Sequence, residues 1–103
     1  KNIPGLALSP QRPESKHTWH LYVVRAEKRD ALAEYLKEKG IETAIHYPTP
    51  LPLLPAYQYL QGKREDFPVA SALQSKILSL PIFPEITGAQ QQYVAETIRS
   101  FYK

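Results

Sequence analysis

Four prolines, Pro48, Pro50, Pro52 and Pro55, punctuate the stretch IHYPTPLPLLPAY from Ile45 to Tyr57. Each fixes φ and removes an amide donor, so the stretch is neither helix nor central strand. It has to be a stiff, irregular loop. At its head stand two polar rings, His46 and Tyr47, set between an apolar run and a rigid backbone.

The segments on either side alternate in periodicity. TWHLYVVRA, Thr18 to Ala26, has the aromatic and β-branched mixture of a strand, expected near 19–25. In KRDALAEYLKEKG, Ala31, Leu32, Tyr35 and Leu36 recur at helical spacing, which predicts a helix over 28–39 ended by a left-handed Gly40. Ile41 to His46 then alternates apolar and polar residues and predicts a second strand near 42–46. Beyond the loop, Ala56 to Leu60 suits a short helical turn, and Asp66-Phe67-Pro68 looks like the start of a helix over 67–76, with Asp66 as cap acceptor. ILSLPIF gives a third strand near 77–80. Thr87 and Gln90 form a capping-box pattern before a final helix over 88–102.

Residues 1–16, with Pro4, Pro10 and Pro13, read as an extended lead-in, and residues 17–103 as the domain proper. The expected architecture is α+β: a small antiparallel or mixed sheet of about three strands with helices packed on it.

Composition removes whole classes of function. With no cysteine, thiol chemistry, thiolate metal sites and disulfides are excluded. The net charge of +3 is spread among interleaved acids, as in Glu27-Lys28-Arg29-Asp30, which is the solvated face of a helix rather than a nucleic-acid stripe. No run is apolar enough to span a membrane, so a cytoplasmic protein is expected. A chain that opens on Lys1 and holds no methionine is expected to be part of a longer polypeptide.

Candidate chemistry is sparse. His17 and His20 are spaced for chelation only on a helix, stand near a predicted strand and lack a third clustered ligand, so no metal site is expected. The serines have no elbow glycines, and Gly5, Gly40, Gly62 and Gly88 stand alone rather than in a phosphate-cradling loop. What remains is His46 and Tyr47, whose ring nitrogen and phenol suit hydrogen bonds to hydroxyls or phosphates of a ligand. The alternative is structural, with Tyr47 packed beneath the loop and His46 bonded to a backbone carbonyl.

Four stretches taken in order, HTWHLYVVR, RDALAEYLKEKGIETAIHYPTPLPLLPAY, DFPVASALQSKILSLPIFPEIT and the terminal amphipathic helix, resemble the C-terminal part of the DegT/DnrJ/StrS family. Its members are pyridoxal-phosphate-dependent aminotransferases acting on keto sugars linked to nucleotides. The resemblance implies that this chain is the small domain of a fold type I aminotransferase, and that a missing N-terminal domain supplies the Schiff-base lysine and most cofactor contacts. None of the eight lysines here sits in the family's cofactor-lysine context. It further implies glutamate as amino donor, a homodimer of the full-length protein, no nucleic-acid or membrane partner, and no cofactor binding or activity by this chain alone.

By the same resemblance His46 and Tyr47 are substrate-binding residues on the small-domain side of the active site, and no catalytic or cofactor-binding residue is assigned within the chain. Pro52 stands where many members carry histidine, and Glu42 where many carry glycine, so the contacts made there differ. The competing expectation is a stand-alone small-ligand-binding or oligomerisation domain without catalysis.

Overall fold

The computed structural model describes residues 3–103. The sheet is assembled from three antiparallel strands in the order β1 (Leu6–Leu8), β2 (Tyr22–Ala26) and β3 (Ile77–Leu80). The pairing sets Leu8 opposite Val24 and Val24 opposite Leu78, so alternate residues of all three strands share one face.

That face is the core. Val24 and Leu78 are fully buried, as are Leu32 and Leu36 of helix α1 (Arg29–Glu38), and Ile98 of helix α3 (Gly88–Phe101) closes the layer. The spacing of Leu32 and Leu36 places both on one stripe of α1, which is why this short helix docks on the sheet. A third helix, α2 (Pro68–Leu73), precedes β3. The α+β architecture with a three-stranded antiparallel sheet is therefore present.

Helix ends follow the chemistry of their residues. Gly40 adopts φ 80° and stops α1. The phenol of Tyr93 on α3 donates to the Lys39 carbonyl at 2.8 Å, satisfying an acceptor at the α1 terminus and tying the two helices together. At α3, Thr87 Oγ1 accepts from the Gln90 amide at 3.1 Å, while the Gln90 side chain accepts from the Thr87 amide at 2.9 Å. Arg29, at the first turn of α1, is buried and donates through its guanidinium to the Ile77 carbonyl at 2.8 Å, pinning α1 to the start of β3.

Three expectations need correction. The alternation over 42–46 does not build a strand; a single bridge, Ala44 with Ser79, is all that forms. Ile41 is buried and Ile45 packs against the core, so the alternation serves burial without a ladder of hydrogen bonds. Asp66 does not cap α2, whose N-cap is Phe67 with no side-chain bond; its carboxylate accepts from the Lys63 amide at 2.9 Å and closes the preceding 3-10 turn, Arg64–Asp66. The stretch read as a lead-in supplies the edge strand β1, Leu6–Leu8. The predicted turn over 56–60 is a 3-10 helix, Pro55–Leu60, preceded by another, Leu51–Leu53.

Candidate functional site

The Ala44–Ser79 bridge positions the site. Ala44 and Ser79 exchange both backbone hydrogen bonds, at 3.1 and 2.7 Å, which fixes the chain just ahead of the proline loop against the outer edge of β3. Two residues on, alternation returns the side chain of His46 to the Ser79 side. Its Nδ1 lies 2.8 Å from Ser79 Oγ. Ser79 is itself only 5% exposed, so the partner that orients the imidazole is anchored in the sheet.

His46 faces a hollow of about 900 Å³ between the 40–46 segment, the end of β3 and the first turns of α3. Its walls include His20, Glu42, Gln90 and Tyr93 among apolar side chains such as Ile82 and Phe83. Tyr47 points elsewhere. Its ring, 73% exposed, borders a second hollow of about 600 Å³ formed with Pro50, Leu54, Leu73 and Ile77. The two rings meet edge to face with centroids 5.4 Å apart. The pair thus stands on the ridge between two hollows, one side chain turned to each.

The structural alternative does not describe this arrangement. Tyr47 is not packed beneath the loop, and the partner of His46 is a serine hydroxyl rather than a carbonyl. His17 is engaged locally: its Nδ1 accepts from the Trp19 amide at 2.7 Å and its ring stacks on Trp19 with centroids 4.0 Å apart. His20, by contrast, shares the larger hollow with His46. The sequence reading weighed His20 only as a metal ligand and Ser79 only as a nucleophile, and placed neither beside His46. The only signal for Ser79 was a polar residue inside the apolar run ILSLPIF, with nothing in the chain order to pair it with His46.

Around this geometry the chain matches known proteins along almost its whole length. The model of the DegT/DnrJ/EryC1/StrS aminotransferase family matches residues 1–99. This chain belongs to that family. Among curated relatives, the erythromycin biosynthesis sensory transduction protein EryC1 of Saccharopolyspora erythraea is 41% identical over 97% of this chain and 27% of its own length. The dTDP-3-amino-3,4,6-trideoxy-alpha-D-glucose transaminase of Streptomyces venezuelae is 36% identical over 96% of this chain and 26% of its own. Among solved structures, the X-ray structure of S. venezuelae DesV in complex with a ketimine intermediate superposes with a TM-score of 0.94 at 35% identity, covering 99% of this chain and 28% of that one. The chain spans about a quarter of the length of the relatives it matches.

DegT/DnrJ/EryC1/StrS aminotransferases use pyridoxal phosphate, which needs a lysine amine and donors for its phosphate. Among the described residues, neither hollow beside the His46–Tyr47 pair is lined by a lysine or an arginine. The residues around the pair therefore do not fit a cofactor site by themselves.

Proposed function

We propose that this chain is the C-terminal small domain of a cytoplasmic, pyridoxal-phosphate-dependent aminotransferase that moves an amino group from glutamate to a nucleotide-linked keto sugar. The observation carrying this reading is the family match over residues 1–99, made by a chain about a quarter as long as its relatives. The transaminase among those relatives acts, by its name, on a dTDP-linked amino sugar, and this supports a nucleotide sugar as substrate here. In this reading the rest of the polypeptide holds the cofactor, two copies of the full-length protein pair, and this chain closes over the substrate.

His46 and Tyr47 are then binding groups rather than proton carriers. An imidazole held by Ser79 and an exposed phenol on the neighbouring residue, ring centroids 5.4 Å apart, offer one hydrogen-bonding group on each side of the ridge between the two hollows. Oxygen-rich ligands such as a sugar or a diphosphate match that pair. Fixing such groups on stiff backbone lowers the ordering cost at binding.

The test is amino transfer to nucleotide-linked keto sugars, measured on the whole polypeptide and on residues 1–103 alone. Transfer by the whole polypeptide and none by the short chain is expected. In the whole protein, His46→Ala should raise KM about tenfold with a smaller change in kcat, as loss of one hydrogen bond to a charged group worth about 1.5 kcal/mol would give. Turnover by residues 1–103 alone, or a native polypeptide in the source cell no larger than this chain, would sink the proposal. A second reading, a free-standing ligand-binding or assembly domain without catalysis, draws on the exposed Tyr59, Leu60 and Val69 and on the sensory name of the EryC1 relative. A native band at the size of this chain would favour it.

A further inference from the structure

We infer that Ser79 is a positioning residue that holds His46 as the neutral tautomer carrying its proton on Nε2, so that the site presents a hydrogen-bond donor, and its ligand an acceptor oxygen, at that nitrogen. The inference starts from proton accounting at a buried pair. His46 Nδ1 and Ser79 Oγ are 2.8 Å apart, and one of them must donate. Were Nδ1 to donate, the Ser79 hydroxyl proton would need an acceptor of its own. Among the described residues Ser79 Oγ has no other partner; Ser79 borders the larger hollow but is only 5% exposed, so a water acceptor would have to reach the hydroxyl through that narrow opening. An unpaired buried hydroxyl proton is costly.

The arrangement that satisfies both groups has Ser79 O–H donating to an unprotonated Nδ1. A neutral imidazole then carries its proton on Nε2. Among the described residues Nε2 has no partner, while the His46 side chain lines the larger hollow. Ser79 can impose this because both its backbone groups are committed to Ala44, so the hydroxyl and the chain bearing His46 are held in one frame.

Deepening the proposed function, on which only the identity of the ligand rests, this places a phosphate, carbonyl or hydroxyl oxygen against His46 rather than a hydroxyl proton. The tautomer itself is independent of that reading and is measured on residues 1–103. Long-range 1H–15N correlation spectra in alkaline buffer should show Nδ1 as the bare, pyridine-like nitrogen and Nε2 as the protonated one. Ser79→Ala should move both 15N shifts toward the average of two exchanging tautomers, and Ser79→Thr, which keeps a hydroxyl, should restore the wild-type pattern. A proton on Nδ1 in the wild-type chain overturns the inference whether or not the variants fold. Unchanged His46 shifts in a folded Ser79→Ala chain do the same. If the tautomer stands while the whole polypeptide transfers no amino group, the functional reading fails and the role of Ser79 survives.

Discussion

At the scale of single residues, the tightest constraint lies at Gly5. Its φ of 87° is open to glycine at no steric cost, and a Cβ built there would sit 2.7 Å from a ring carbon of Tyr102. That ring cannot swing aside freely, because its hydroxyl donates to the Glu27 carbonyl at 2.6 Å. Gly5→Ala is therefore expected to destabilise the chain by about 1–3 kcal/mol from the backbone conformation alone, with the clash adding to it. Urea unfolding of the two proteins checks this, and equal midpoints would refute it. His46 was legible in the sequence because it precedes the proline loop, and Ser79 was not. The contact between them spans 33 positions. Only the pairing of two chain segments reveals it.

At the scale of elements, α1, α3 and β3 were written plainly in periodicity and caps. β3 is found at Ile77–Leu80, and α3 begins behind the predicted Thr87–Gln90 box. That box makes a prediction: Thr87→Ala should lower stability by about 1 kcal/mol, since it strips the acceptor for the Gln90 amide, and thermal unfolding should register it while helix content near the C-terminus falls. A variant melting with the wild type would show that the turn does not depend on its cap. The elements that were not legible fail for a common physical reason. Alternation reports which side of a segment is buried, not whether a neighbour offers a hydrogen-bond ladder. Residues 42–46 alternate without becoming a strand, whereas Leu6–Leu8 pairs although prolines surround it.

At the scale of the whole molecule, the two ends of the chain are fastened to each other. Gly5 accepts the Glu27 amide at 2.7 Å, and Tyr102 closes on the same residue from the far end of the sequence. Burial, then the neighbouring Glu27 charge, raises the Tyr102 pKa above its ordinary 10.0. The folded chain thus holds this proton more tightly than the unfolded one. The stabilisation is fully present below pH 10.0 and is lost as the pH climbs through the raised value. Tyr102→Phe should consequently be less stable than the wild type near neutrality, with the gap narrowing above pH 10.0 in urea titrations. A gap that is constant with pH would separate the hydrogen bond from any role of that proton.

The edge strand Leu6–Leu8 has a consequence for how the molecule is handled. Composition puts a natural cutting point near residue 16, yet a chain shortened there would shed β1 and strip the outer side of Tyr22–Ala26 of its partner. Bare amides and carbonyls beside valines are an invitation to recruit a strand from another copy. The proline-flanked tripeptide is thus a sacrificial bumper. It occupies the berth beside β2 into which a strand of another molecule could otherwise zip.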